Sequence, residues 1–202
     1  VAYFRRYPFT VIHGDELMVV SGIQDWPRRT RELRREFGWA IASGVTIREM
    51  FIENEMDLEG VDLEALKPEE YILLQTEQDR EAAHRWRIAN DIRKKKTGVR
   101  NKILEFLRTN VGHSVTGEEL RYVANDMTEW ACRVRELRTE QGWPVVTRNT
   151  GRPDLAIGVY KLEQDRQSPA HDRSIPDAVR RAVLVRDGYA CRECGWTHDQ
   201  WN

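Results

Sequence analysis

Two stretches of the chain carry the same alternation of apolar and polar positions. In WPRRTRELRREFGW, residues 26 to 39, the apolar or small positions are Trp26, Thr30, Leu33 and Phe37. In WACRVRELRTEQGW, residues 130 to 143, they are Trp130, Val134 and Leu137, with Gln141 closing the stripe. Steps of four, three and four predict two amphipathic helices. Gly38 and Gly142 stand where a left-handed residue ends a helix, so that Trp39 or Trp143 folds back on Leu33 or Leu137. Each stretch is preceded by an apolar lead-in (Ile12, Val115), a GDEL or GEEL helix start, and a turn, GIQD or NDMT. Each is followed by a short strand, WAIAS or WPVVT, and a returning strand; NTGRPDLAIGVYKL reads as a hairpin with residues 151 to 154 at its tip. Between the two sets, the spacing predicts a connecting helix near 77–95. A further helix follows near 98–109, with Ile103, Leu104, Phe106 and Leu107 as its core face. A last helix opens at Ser174, Pro176 and Asp177 and presents Val179, Ala182, Val183 and Val185.

The two sets are copies. Shifted by 104 positions, nine of fourteen residues in the long stretches are identical, from Trp26 on Trp130 to Trp39 on Trp143. GDEL meets GEEL at a shift of 103, and YILLQTEQDR resembles YKLEQDR. This is a duplicated domain rather than a solenoid, because the period is long and the copy number low. Helix, turn, helix and β-hairpin is the order of a winged helix-turn-helix, whose second helix reads DNA. The expected fold class is therefore mainly α with small β-hairpins (α+β), as two tandem winged helices. The first spans 1–76 with an acidic insertion at about 50–66, a helical linker spans 77–97, and the second copy spans 98–165. A separate segment covers 166–202. The interval from Trp39 to Tyr71 is 32 residues against 17 from Trp143 to Tyr160. That enlarged acidic wing should repel phosphates and pack on protein.

Charge changes the picture next. The chain has 202 residues and a formal net charge of −1, but the charges are segregated. Residues 53 to 70 hold eight acids and one Lys, and residues 85 to 102 hold eight Lys or Arg and one Asp. A near-zero total therefore says nothing against an anionic partner. No apolar run is long enough to span a membrane, and the first ten residues lack the core of a signal peptide. Three cysteines, Cys132, Cys191 and Cys194, are too few and too odd for a secreted disulfide scaffold, which points to a reducing compartment. The chain opens without Met and is expected to be a piece of a longer protein.

Arginines on a helix that enters a groove can serve both phosphates and base edges. The candidate DNA-binding residues are Arg28, Arg29, Arg31, Arg34 and Arg35 in copy one, and Arg133, Arg135, Arg138 and Thr139 in copy two. Arg148, Asn149 and Arg152 join them from the second wing. Arg28 against Cys132 and Arg35 against Thr139 differ between copies and suit sequence reading. The bland alternative is a solvated Arg/Glu helix, each pair contributing roughly 0.2–0.5 kcal/mol. The four Trp at matching places suit core or cap roles. Cys191-x-x-Cys194 supplies two thiolates to a tetrahedral zinc, which needs four ligands.

The stretch IPDAVRRAVLVRDGYACRECG, residues 175 to 195, resembles the entrance of an HNH nuclease domain. The tandem WxxRxRELRxExGW units resemble the DNA-binding winged helices that precede HNH domains in bacterial restriction endonucleases. The resemblance implies a structural zinc at Cys191 and Cys194 and a catalytic divalent metal such as Mg in the intact protein. It also implies hydrolysis of DNA phosphodiesters there, with or without a requirement for base modification. The general-base His of that family would follow later; His198 comes too early, so no catalytic residue is assigned and no cofactor is expected in this fragment. Expected partners are double-stranded DNA and, for palindromic cutting, a second copy; no membrane is expected, and the implied location is the cytoplasm of a bacterium or archaeon. The alternatives are a non-enzymatic winged-helix transcription regulator or a protein-interaction module.

Overall fold

A computed structural model describes residues 1–169, 177–190, 192, 195 and 197. Contacts divide the chain into a unit of Val1–Ser168, which holds both copies, and a second unit of Pro169–Asn202.

In copy one, α1 (Ala2–Arg6) leads into β1 (Ile12–His13), α2 (Gly14–Ser21) and α3 (Trp26–Arg35). Then come β2 (Ile41–Ser43), α4 (Gly44–Ile52) and β3 (Glu70–Leu73). α5 (Ala82–Arg93) connects the copies. Copy two repeats the order with α6 (Val99–Thr109), β4 (Ser114–Thr116), α7 (Gly117–Val123), α8 (Trp130–Thr139), β5 (Val145–Thr147) and β6 (Val159–Leu162). Each copy has a three-stranded antiparallel sheet with its last strand in the middle, β1-β3-β2 and β4-β6-β5. Ile12 faces Tyr71 and Val115 faces Tyr160 in register. The chain is thus α+β, as its periodicity predicts.

The repeated residues hold matching posts. At the start of α2, the His13 side chain accepts the Asp15 N–H and Glu16 reaches back to the His13 N–H. At the start of α7, Thr116 and Glu119 exchange the same pair of bonds. These reciprocal caps satisfy amides that a helix start leaves open. Trp26 meets Tyr71 edge-on at 5.7 Å between ring centroids, and Trp130 meets Tyr160 at 5.8 Å. The Trp39 N–H returns to the Leu33 carbonyl and the Trp143 N–H to the Leu137 carbonyl. Arg5 lies over the Trp39 ring and Arg108 over that of Trp143.

Gly38 shows why these corners need glycine. Its φ is +67°, and a Cβ there would sit 1.7 Å from the Asp79 carbonyl oxygen. Gly22 has φ +64° and nothing within 4 Å of the same atom. Gly22→Ala should cost about 1 kcal/mol, the strain of a left-handed alanine. Gly38→Ala should cost about 3 kcal/mol or more, because the backbone of residue 79 must also move. Chemical denaturation of the two variants checks the difference.

Three sequence expectations change. α3 ends at Arg35, so Phe37 leaves the apolar stripe and is 50% exposed, whereas Trp130, Val134 and Leu137 are fully buried in copy two. The stretch after β2 is a helix, α4, not the start of a loop: Ile47, Met50 and Phe51 share a helical face and the first two are buried. α5 is not a free arm. Ala82, Trp86, Ala89 and Ile92 are buried in a cluster that also takes Ile47, Met50 and Ile72 from copy one and Phe106, Leu120 and Trp130 from copy two. One core cluster therefore spans both copies, while Phe4, Ile12, Leu17, Ile41 and Leu73 form a second, smaller one within copy one.

In the second unit, α9 (Asp177–Arg186) forms where the sequence places it. Val179, Val183 and Val185 on it are exposed. Ser174, Pro176, Cys191 and Cys194 lie outside the described residues.

Candidate nucleic-acid interface

The arginine-rich helices occupy the second position of a helix pair in each copy, which fixes where their side chains go. In α3, Arg28 and Arg29 both reach Glu32, at 3.0 and 2.6 Å, and stay largely exposed. Their pairing holds the Glu32 carboxyl below the usual carboxylate pKa, with the Arg29 hydrogen bond as the main cause. Arg31 is exposed and has no partner among the described residues.

The other two arginines of α3 turn inward, against the expectation that the whole set faces solvent. Arg34 donates from Nε to the Ile41 carbonyl at 2.7 Å and pairs with Glu118 of copy two at 2.9 Å. The two side chains are only 12% and 10% exposed. Arg35 lies over the rings of Trp86 and Tyr122, at 4.9 and 4.4 Å. Burial is the main cause that holds its guanidinium below its usual value.

In α8, Arg133 sits between Glu129 and Glu136 on its own helix. Arg135 and Arg138 leave the helix for copy one. Arg135 pairs with Glu53 and Arg138 with Glu55, both at 2.6 Å, and the Glu55 side chain is wholly buried. Thr139 donates to the Arg135 carbonyl at 3.0 Å. The acidic insertion therefore does pack on protein, and the protein it packs on is α8. That coverage corrects the outward placement of Arg138 and half removes Arg135.

On the second wing, Arg148 donates to the Leu155 carbonyl and Asn149 to that of Asn54, each at 3.3 Å. Arg152 holds Asp154 and Glu163. Its hydrogen bond is the first cause that pulls the Asp154 carboxyl down to about 2.

A row of charged residues that sequence reading passed over joins the copies. Glu49 accepts from Arg121 at 2.9 Å and from the Trp130 indole at 2.7 Å. Glu118 accepts the Ser43 N–H and hydroxyl. Glu119 takes Arg85 at 2.9 Å. The sequence carried little signal for this row: apart from Arg85, its charged residues lie outside both the acid-rich stretch 53–70 and the base-rich stretch 85–102.

Among the described residues, no group of three or more His, Cys, Asp or Glu is placed to hold a metal, and no helix is long and apolar enough to cross a membrane. The family model of the KpnI N-terminal domain matches residues 1–74 and 100–163, one block in each copy. No curated protein and no solved structure matches the chain.

Proposed function

The chain belongs to the KpnI N-terminal domain family, and we propose on that footing that residues 1–165 are the double-stranded DNA recognition portion of a restriction endonuclease. Each copy is read as a winged helix, with α3 and α8 as groove-entering helices. The order helix, strand, helix, helix, strand, strand, uninterrupted in copy two and broken only by α4 in copy one, supports that reading, as does the central position of each last strand.

The observation that carries the proposal is what the seam leaves over. After Arg34, Arg35 and Arg138 are consumed between copies, the first turns of α3 still expose Arg28, Arg29 and Arg31. Exposed guanidiniums on one helix supply phosphate and base-edge donors. The two copies then differ in duty. α3 is the stronger binding element, and α8 contributes Arg133, with Arg135 restrained by Glu53. Arg148, Asn149 and Arg152 are held in place by their own contacts and flank α8 as a wing.

We read the second unit as the opening of an HNH nuclease, with phosphodiester hydrolysis in the intact protein. α9 and the Cys191-x-x-Cys194 pair are the opening elements. Two thiolates there await two further zinc ligands, and a catalytic divalent metal belongs with the general base. A second copy of the chain suits palindromic cutting. The reading places the protein in a bacterial or archaeal cytoplasm.

A mobility-shift series on random and genomic duplexes, plain and methylated, tests the recognition reading. Binding that weakens steeply with salt is expected. No shift at low salt on any duplex would remove it. Glu53→Gln should release Arg135 and tighten duplex binding a few-fold, because one more guanidinium becomes available. Unchanged or weaker binding of a folded Glu53→Gln chain would argue against α8 as a contact.

A further inference from the structure

The seam between the copies contains one recess whose charges do not balance. It measures about 310 Å³ and is lined by Arg31, Arg34, Arg35 and Arg121 together with the carboxylates of Glu118 and Asp126. Both carboxylates are already engaged. Glu118 holds Arg34 at 2.9 Å. Asp126 holds Arg93 at 2.8 Å and Arg121 at 3.1 Å. Among the described residues neither Arg31 nor Arg35 forms an ion pair, although the Asp126 charge acts on Arg35 from a distance. Arg35 Nε is enclosed and has no acceptor, while the faces of Trp86 and Tyr122 cover its guanidinium. Burial lowers the Arg35 proton affinity first, and the neighbouring Arg34 and Arg31 charges push in the same direction.

The repeat supplies an internal comparison. In copy two, the residues equivalent to Arg31 and Arg34 are Arg135 and Arg138. Each meets an acid from the insertion, Glu53 or Glu55. In copy one, Arg34 has Glu118, but among the described residues no acid pairs with Arg31. The position of Arg35 is taken by Thr139 in copy two, so the extra cation exists only where the acid is missing.

We propose that this recess binds a phosphoryl group, with the guanidiniums of Arg31 and Arg35 as its donors. The two residues stand one turn apart on α3, so both forks can address one tetrahedral anion. A guanidinium matches phosphate oxygens in pairs and loses less hydration than an ammonium on burial. The covering rings raise the strength of each charge interaction by excluding water. A backbone phosphodiester and a free phosphate present the same oxygens, so the site does not depend on duplex recognition by the outer face.

The test is thermal unfolding of the whole chain titrated with inorganic phosphate at ionic strength held constant with sodium chloride. A saturable rise in midpoint is expected. Arg31→Gln should weaken the apparent affinity roughly ten- to a hundredfold, the loss of one charge-assisted hydrogen bond. Arg31 has no partner among the described residues, so this variant should fold normally. Arg35→Lys keeps the charge, removes the planar two-pronged donor, and should weaken binding likewise. Arg87→Gln, on the exposed face of α5, should bind as the native chain does. A parallel titration with a thymidine dinucleotide separates the sources. Binding that depends on the same residues assigns a backbone phosphodiester, and binding of inorganic phosphate alone assigns the free ion. If neither probe raises the midpoint beyond the chloride control, or if Arg31→Gln and Arg87→Gln behave alike, the recess is a structural seam only. Because no duplex is used, that failure would leave the mobility-shift result untouched.

Discussion

Glu119→Ala should lower the unfolding free energy by about 3–5 kcal/mol, the cost of removing one partner of a buried ion pair. The Glu119 side chain is 1% exposed and accepts from Arg85 Nε, the Thr116 N–H and the Thr116 hydroxyl. Its loss leaves Arg85, whose side chain is 8% exposed, with only the half-exposed Asp79 at 2.6 Å, and opens the cap of α7. For a chain of this length the midpoint should fall by roughly 10 °C. The repeat provides the control. Glu16 holds the same place in the cap of α2 but is exposed and otherwise bonds Tyr3. Glu16→Ala should therefore cost only about 0.5–1 kcal/mol, the value of a cap. Combining Glu119→Leu with Arg85→Met should recover most of the loss, since matched apolar residues avoid the desolvation of two ions. Equal effects at positions 16 and 119 would contradict the buried seam.

The same carboxyl sets a pH dependence. Burial pushes Glu119 above the usual carboxylate value, although Arg85 pulls it the other way. The folded chain thus holds this proton more readily than the unfolded chain. Its contribution to stability is fully present below the ordinary value of 4.5 and fades as pH rises through the raised one. The stability difference between the native chain and Glu119→Gln should shift in favour of the Gln variant as pH rises above 4.5. Denaturation midpoints at a series of pH values check the sign.

Charge reversal of Arg28, Arg29 and Arg31 together should abolish duplex binding at moderate salt. Each guanidinium in contact with phosphate contributes about 0.9 to the slope of log K against log salt. Loss of three should flatten that slope by between two and three units, and the reversed charges add repulsion. Arg133→Glu should do less, because Arg133 is shared between Glu129 and Glu136. The fold should survive the triple change, since Arg28 and Arg29 pair with Glu32 on their own helix and Arg31 makes no ion pair among the described residues. Retained binding with an unchanged salt slope would move the contact surface away from α3.

Much of this could be read along the chain. The duplication, the two capping starts, the glycine-tryptophan helix ends, and the short strands all arise from interactions within a few residues. Local rules act on local sequence, so the GDEL and GEEL starts and the W…G-W ends predict what forms. α1 and α4 escaped that reading. α1 spans Ala2–Arg6, barely more than a turn, and α4 sits where copy two passes from β5 to β6 without a helix, so the repeat gave no sign of it.

The fate of each arginine lay beyond local rules. Arg28 and Arg35 stand seven residues apart on one helix and share a face of its wheel, yet Arg28 is 65% exposed while Arg35 lies over Trp86 and Tyr122 with its Nε enclosed. The difference comes from Tyr122, far along the chain, and from the α5 helix that carries Trp86 and draws the two copies onto one core. A solvated Arg/Glu helix and a buried one have the same sequence pattern, because burial belongs to the neighbours and not to the helix. Pattern along the chain thus settles which segments coil and which extend. Packing of one copy against the other settles which charges meet solvent and which meet each other, since desolvation depends on contacts that close only when distant segments come together.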